Sequence, residues 1–220
     1  RLLASEKVDV ILLDLEMPGM GGLGALPKMI ERASEAKILV VSSFTADGAE
    51  ATVEALALGA PDTLQKPASG GFDQSYREKL VAKIRALGRK PLRRTAKAAT
   101  TAGTPPPVLR PASRHRATVV AIGASTGGIH ALGQLFGALP AINVPILVTQ
   151  HLPGSFVEAF RQQLQEVSGL PTICCKDGEP LVPGRIFIAP GDAHMVVVEK
   201  GTGHVVTLDR RPAPSGCMPS

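Results

Sequence analysis

The chain has 220 residues, 44% of them hydrophobic but only 3% aromatic, which is room for two domains with aliphatic cores. Three cysteines, with Cys174 and Cys175 adjacent, form no disulfide framework and suit a reducing cytoplasm. No apolar run reaches the ~20 residues of a bilayer span and the start does not read as a signal peptide, so membrane insertion is not expected.

In chain order, residues 8–13 form a continuous apolar strand that ends on Asp14, followed by Glu16-Met17-Pro18, whose proline forces a loop. Residues 38–45 (ILVVSSFT) read as a second buried strand ending in hydroxyls, and 62–67 (DTLQKP) as a third ending in Lys66. Helical patterns fall at about 24–33, 47–58 and 75–87. Strand and helix alternating at this period predict a parallel, doubly wound sheet. An aspartate, a hydroxyl and a lysine at three successive strand ends have the logic of a phosphoryl site. The carboxylate serves as nucleophile and Mg²⁺ ligand, the hydroxyl senses the new oxygens, and the ammonium neutralises them. The plainer alternative is a strand-end ion pair between Asp14 and Lys66.

The net charge of +5 suggests nucleic-acid binding until its position is considered. Eight basic residues and no acidic ones lie between Arg89 and Arg116, and removing them leaves the rest of the chain at −3. That stretch also holds Ala, Thr and Pro runs without apolar content to order them. It reads as a basic linker, and no recognition helix or base-stacking set accompanies it.

Residues 119–128 (VVAIGASTGG) are an apolar run breaking into a glycine-flanked turn that carries Ser125. Gly123, Ser125 and Gly127 fit the spacing of a nucleophile elbow, which lifts a serine clear of the sheet beside helix-starting N–H groups. Those N–H groups, around Thr126 and Gly127, are where an oxyanion would sit. A phosphate-binding loop is the alternative. The dinucleotide pattern fails because Ser125 replaces its second glycine, and no Lys-Ser/Thr pair follows as in a P-loop. A second apolar run, 145–149, ends in Gln150-His151-Leu152-Pro153. With a helix over 128–138 between them, Ser125 and His151 belong at the carboxyl edge of one βαβ unit. An imidazole there suits proton transfer to and from Ser125. No downstream carboxylate shares this strand-end setting; Asp177 and Asp192 read as turn aspartates. Beyond lie a helix near 156–167, short strands near 171–176 and 185–189, and a hairpin over 194–199 and 203–209.

Asp14 in DLEMP, Ser42 in VVSS and Lys66 in QKP resemble the receiver domain of bacterial response regulators. GASTGG with TQHLP resembles the catalytic domain of the chemotaxis protein-glutamate methylesterases, the CheB family, in which the two are joined in this order. RIFIAPGDAHM and the closing CMPS agree with it. The resemblance implies a flavodoxin-like receiver at 1–87, a linker at 88–116 and a parallel-sheet α/β methylesterase domain at 117–220. It makes Asp14 the phosphate acceptor, Ser42 and Lys66 its switch residues, Ser125 the nucleophile and His151 the base. Mg²⁺ would be held by Asp14 and the Glu16 carbonyl, and no cofactor is implied for the esterase. The implied substrate is a methylated chemoreceptor, with a chemotaxis histidine kinase as phosphoryl donor, in the cytoplasm.

Several departures accompany the resemblance. The family's acidic pair precedes the Asp14 strand and its third catalytic residue, an aspartate, lies beyond CMPS, so both domains are expected to be incomplete and both ends to be cut from a longer chain. Gly21 stands where an aspartate is common, and Thr63 where an aromatic switch residue often sits. Three readings follow: a phosphorylation-controlled hydrolase of glutamate methyl esters that also deamidates receptor glutamines, a weakly active or non-catalytic regulatory fragment that binds receptor or kinase, and a nucleotide-phosphate loop in an unrelated output domain.

Overall fold

The computed structural model describes residues 6–33, 35–43, 45–67, 71–88, 116–140, 142–213 and 218–219. Of the expected linker (88–116), residues 89–115 lie outside the described residues.

In the first half, β1 (Val10–Asp14), β2 (Lys37–Ser42) and β3 (Asp62–Gln65) form a parallel sheet in that order. Helices α1 (Gly21–Arg32), α2 (Ala46–Ala57) and α3 (Gln74–Gly88) follow the strands in turn. The central strand is a continuous apolar run because both of its faces are covered: Ile38, Leu39 and Val40 are all buried. Helix α2 is capped by Thr45, whose hydroxyl accepts the Gly48 N–H at 3.0 Å.

The second half carries β4 (Val120–Ala124), α4 (Gly128–Ala138), β5 (Ile146–Gln150) and α5 (Gly154–Ser168). Next come β6 (Thr172–Cys174), β7 (Glu179–Pro180), β8 (Ile186–Ile188), β9 (His194–Lys200) and β10 (Gly203–Asp209). Strands β4, β5, β8 and β6 make a four-stranded sheet in that order, parallel throughout. The expected hairpin forms between β9 and β10, and β7 adds a third antiparallel strand that the sequence pattern did not reveal. It is only two residues long and contains Pro180, so it carries no alternation to read.

The halves are not separate bodies. One apolar cluster runs from Leu26, Val40, Val53 and Leu56 to Leu132, Phe136, Phe156 and Phe160. Helix α2 thus buries one face against its own sheet and another against α4 and α5. Among the described residues no helix is long and apolar enough to cross a membrane.

Candidate functional site

Two sites occupy the carboxyl edges of the two parallel sheets. In the first, β1 ends at Asp14 and the chain turns through Glu16 into α1. Gly22 permits that turn: a Cβ there would overlap the Asp14 carbonyl and stand 2.7 Å from Leu15 Cα. Lys66 follows β3 and places Nζ 2.8 Å from Asp14 Oδ2 and 3.0 Å from Glu16 Oε2. Asp14 Oδ1 accepts the Glu16 N–H at 2.9 Å. Partial burial pushes the Asp14 carboxyl up, but the Lys66 hydrogen bond, the Glu16 N–H and the Lys66 charge outweigh it and hold the group below its usual range. Glu16 is lowered as well, by the Ser43 hydroxyl first and then by Lys66. Lys66 is raised, chiefly by its bond to Asp14.

Asp14, Glu16 and Lys66 are therefore brought together; the Ser42 carbonyl accepts the Lys66 N–H at 2.7 Å, while its side chain makes no hydrogen bond to them. Ser42 ends the central strand fully buried, its hydroxyl without a partner among the described residues. Ser43, the residue after the strand, turns its hydroxyl toward Glu16 and lies 3.0 Å from Thr45 Oγ1. Thr63 is buried too, with its hydroxyl likewise unpartnered. Among the described residues no group of three or more His, Cys, Asp or Glu side chains is placed to hold a metal. The Asp14 carboxylate and the Glu16 carbonyl are nevertheless hard oxygen donors of the kind Mg²⁺ takes while keeping several waters.

The second site forms where β4 and β5 end side by side. Ala124 pairs with Gln150 in register, and the His151 N–H donates to the Ala124 carbonyl at 3.1 Å. Ser125 and His151 are thus the next residue on each of two adjacent strands, and both line one cavity of about 830 Å³. Among the described residues their side chains make no hydrogen bond to each other, so the pair is adjacent but not engaged. Gly127 has φ +74, the left-handed conformation the turn requires, while Gly123 is an ordinary strand residue. Of the two elbow glycines only Gly127 needs to be glycine for backbone reasons. Burial pushes the Cys175 thiol up to about 12 and raises Cys174 as well, which disfavours the thiolate at both.

The first half forms the facing wall of this cavity, through Pro61, Lys66, Tyr76 and Lys79. The Gly127 N–H, one of the turn donors, points at the Pro61 carbonyl at 2.9 Å. Four residues further on, Gln65 Nε2 donates to Ser155 Oγ at 2.8 Å, just beyond His151. The segment from Pro61 to Lys66 therefore touches the Ser125 turn and the start of α5 beyond His151, and ends in the first site. Sequence patterning had no means of finding Pro61, Gln65 or Ser43, because each acts through a partner remote in the chain or through a main-chain atom.

A phosphoryl-type site and a serine-bearing turn on two consecutive parallel α/β units define a receiver joined to an esterase-like domain. Residues 1–72 match the family "Response regulator receiver domain" and residues 120–220 match "CheB methylesterase". The chain belongs to the CheB family. It is 38% identical to "Protein-glutamate methylesterase/protein-glutamine glutaminase 1" of Rhodospirillum rubrum, over 97% of this chain and 62% of that protein. It is 41% identical to "Protein-glutamate methylesterase/protein-glutamine glutaminase 2" of Caulobacter vibrioides, over 100% of this chain and 64% of that protein. The crystal structure of the Thermotoga maritima CheB methylesterase catalytic domain aligns at 32% identity with a TM-score of 0.45, over 48% of this chain and 57% of that one. The chain spans less than two thirds of the length of these curated relatives.

Proposed function

We propose that this chain carries the receiver (1–87), linker (88–116) and catalytic region (117–220) of a phosphorylation-controlled hydrolase. Its substrates are glutamate methyl esters on chemoreceptors, and certain receptor glutamines. The observation that carries this reading is the exit of Ser125 and His151 from neighbouring in-register strands into one cavity.

Ser125 Oγ attacks the side-chain carbonyl carbon of the substrate while His151 takes its proton. The carbonyl electrons move onto oxygen, and the oxyanion is held by N–H groups at Thr126 and Gly127. Collapse expels methanol, or ammonia from a glutamine, which leaves with the proton from His151. Water then repeats the sequence, giving glutamate and free Ser125.

Control follows from the Pro61 carbonyl on the Gly127 N–H. In this closed arrangement a receiver carbonyl occupies a donor that the oxyanion needs. One such bond is worth only ~1 kcal/mol net, so modest changes in the receiver shift the equilibrium. A phosphoryl group on Asp14 would draw Lys66 to its oxygens and pull on the segment that carries Pro61. Ser42 would have to turn its hydroxyl outward to join, while Ser43 already faces the site. Asp14 and the Glu16 carbonyl are the oxygens that would hold Mg²⁺, which would supply charge neutralisation for phosphoryl transfer.

The test is methanol release from methylated receptor membranes, with a histidine kinase or small-molecule phosphoryl donor present or absent. Turnover should be lost in Ser125→Ala and raised by the donor. Turnover that survives Ser125→Ala sinks the mechanism, and equal rates with and without donor sink the control. Activity in the full-length protein but none in residues 1–220 would assign this chain a regulatory or binding role only.

A further inference from the structure

Gln150 ends β5 and is 6% exposed, between the Ser125 turn and the His151 turn. Its Nε2 donates to the Ser125 carbonyl at 3.0 Å and to the His151 carbonyl at 3.2 Å. A reversed carboxamide would aim its oxygen at both carbonyl oxygens, so the orientation follows from the partners. The Gly128 N–H also donates to the Ser125 carbonyl, at 2.7 Å, so that oxygen accepts two hydrogen bonds. On the other side Oε1 is buried without a partner among the described residues. It rests against Gly128, where a Cβ would overlap it and stand 2.8 Å from Ala124 Cβ.

An unpartnered buried acceptor opposes folding, so stability alone does not call for this amide over an apolar side chain of equal size. What the amide does is tie the main chain of one reacting residue to the main chain of the other. We propose that Gln150 is a positioning residue for the hydrolysis, setting the approach of the Ser125 hydroxyl to the His151 imidazole through their two carbonyls. This rests on the esterase reading above.

The full-length protein, Gln150→Met and Gln150→Glu are compared by methanol release, by the rate of Ser125 labelling with a sulfonyl fluoride, and by thermal melting. Gln150→Met keeps the size but donates nothing. It should lower kcat and the labelling rate together by about 10–100-fold, as small misplacements of reacting groups do, with KM and Tm close to the parent's. Gln150→Glu sets a carboxylate against two carbonyl oxygens. Its kcat relative to the parent should rise as pH falls from about 8 to about 6, as the buried carboxyl takes a proton and regains one donor.

Gln150→Met with kcat and labelling within about twofold of the parent overturns the proposal. So does a loss that tracks a lowered Tm, or a Gln150→Glu ratio that stays flat with pH; if Gln150→Met does not fold, that ratio decides. A parent that releases no methanol counts against the esterase reading instead. In that case the labelling rates of Ser125 in the variants still decide the role of Gln150.

Discussion

Both sites begin from one plan, a parallel strand running into a helix whose start needs a glycine, and they are held by opposite means. The Asp14 site is electrostatic: Asp14, Glu16 and Lys66 sit 32–45% exposed and pair through charge. The Ser125–His151 site carries no ion pair among the described residues and is fixed from beneath by main-chain bonds and a buried carboxamide. The contrast suits the proposed roles. A site that receives a doubly charged group needs cations it can redirect and access to solvent, whereas a hydroxyl–imidazole pair needs a fixed approach.

The largest effect should come from the core that the two regions share. Phe160 is fully buried in the cluster that also holds Val53 and Leu56 of α2. Phe160→Ala should cost ~3–5 kcal/mol in denaturant unfolding. Probes placed in the two halves should then melt together; separate transitions would mean that the apolar contact does not couple them.

Next come the two glycines. At Gly22 the added Cβ meets backbone at Asp14 and Leu15, while at Gly128 it meets the end of the Gln150 side chain and Ala124 Cβ. Gly22→Ala should therefore cost ~1–3 kcal/mol and slow phosphorylation of Asp14. Gly128→Ala should cost less stability and lower esterase turnover by displacing the amide. The reverse ranking would show that the Asp14 turn yields more easily than the Gln150 contact.

The smallest effect concerns the ion pairs. The Asp14 pKa is depressed in the folded chain, so its contribution is present above the unfolded value, near 3.9, and is lost as pH falls through the folded one. With the pair this exposed, Lys66→Met should change stability by only ~0.2–1 kcal/mol, and less at high salt. Its effect on the response to phosphoryl donors should be far larger. A large, salt-independent loss of stability would mean that Lys66 is a structural strut.

Much of the fold was legible because burial writes itself into strands and helices. The run 38–41 is apolar on both faces, and the 128–138 helix was read with the bounds it has. Other boundaries shifted by a few residues; α5, for instance, begins at Gly154, ahead of the expected start near 156. Among the site residues, Asp14 and Lys66 were readable as a pair because both follow apolar strands of one sheet. Ser42 and Ser43 were not separable by pattern, since adjacent residues at a strand end point to opposite faces and the register decides which one meets Glu16.

By itself the sequence determined the order of the helices and of every strand except β7, and the polar residues standing at the strand ends. Continuous apolar runs must be covered, and a charged or reactive group is carried cheaply only where such a run stops. Tertiary structure alone decided that Pro61 caps the Gly127 N–H, that Gln65 reaches Ser155, and that Gln150 bridges the Ser125 and His151 turns. Those contacts depend on how helices pack and on which main-chain atoms are left facing them, and neither the type nor the spacing of residues records that.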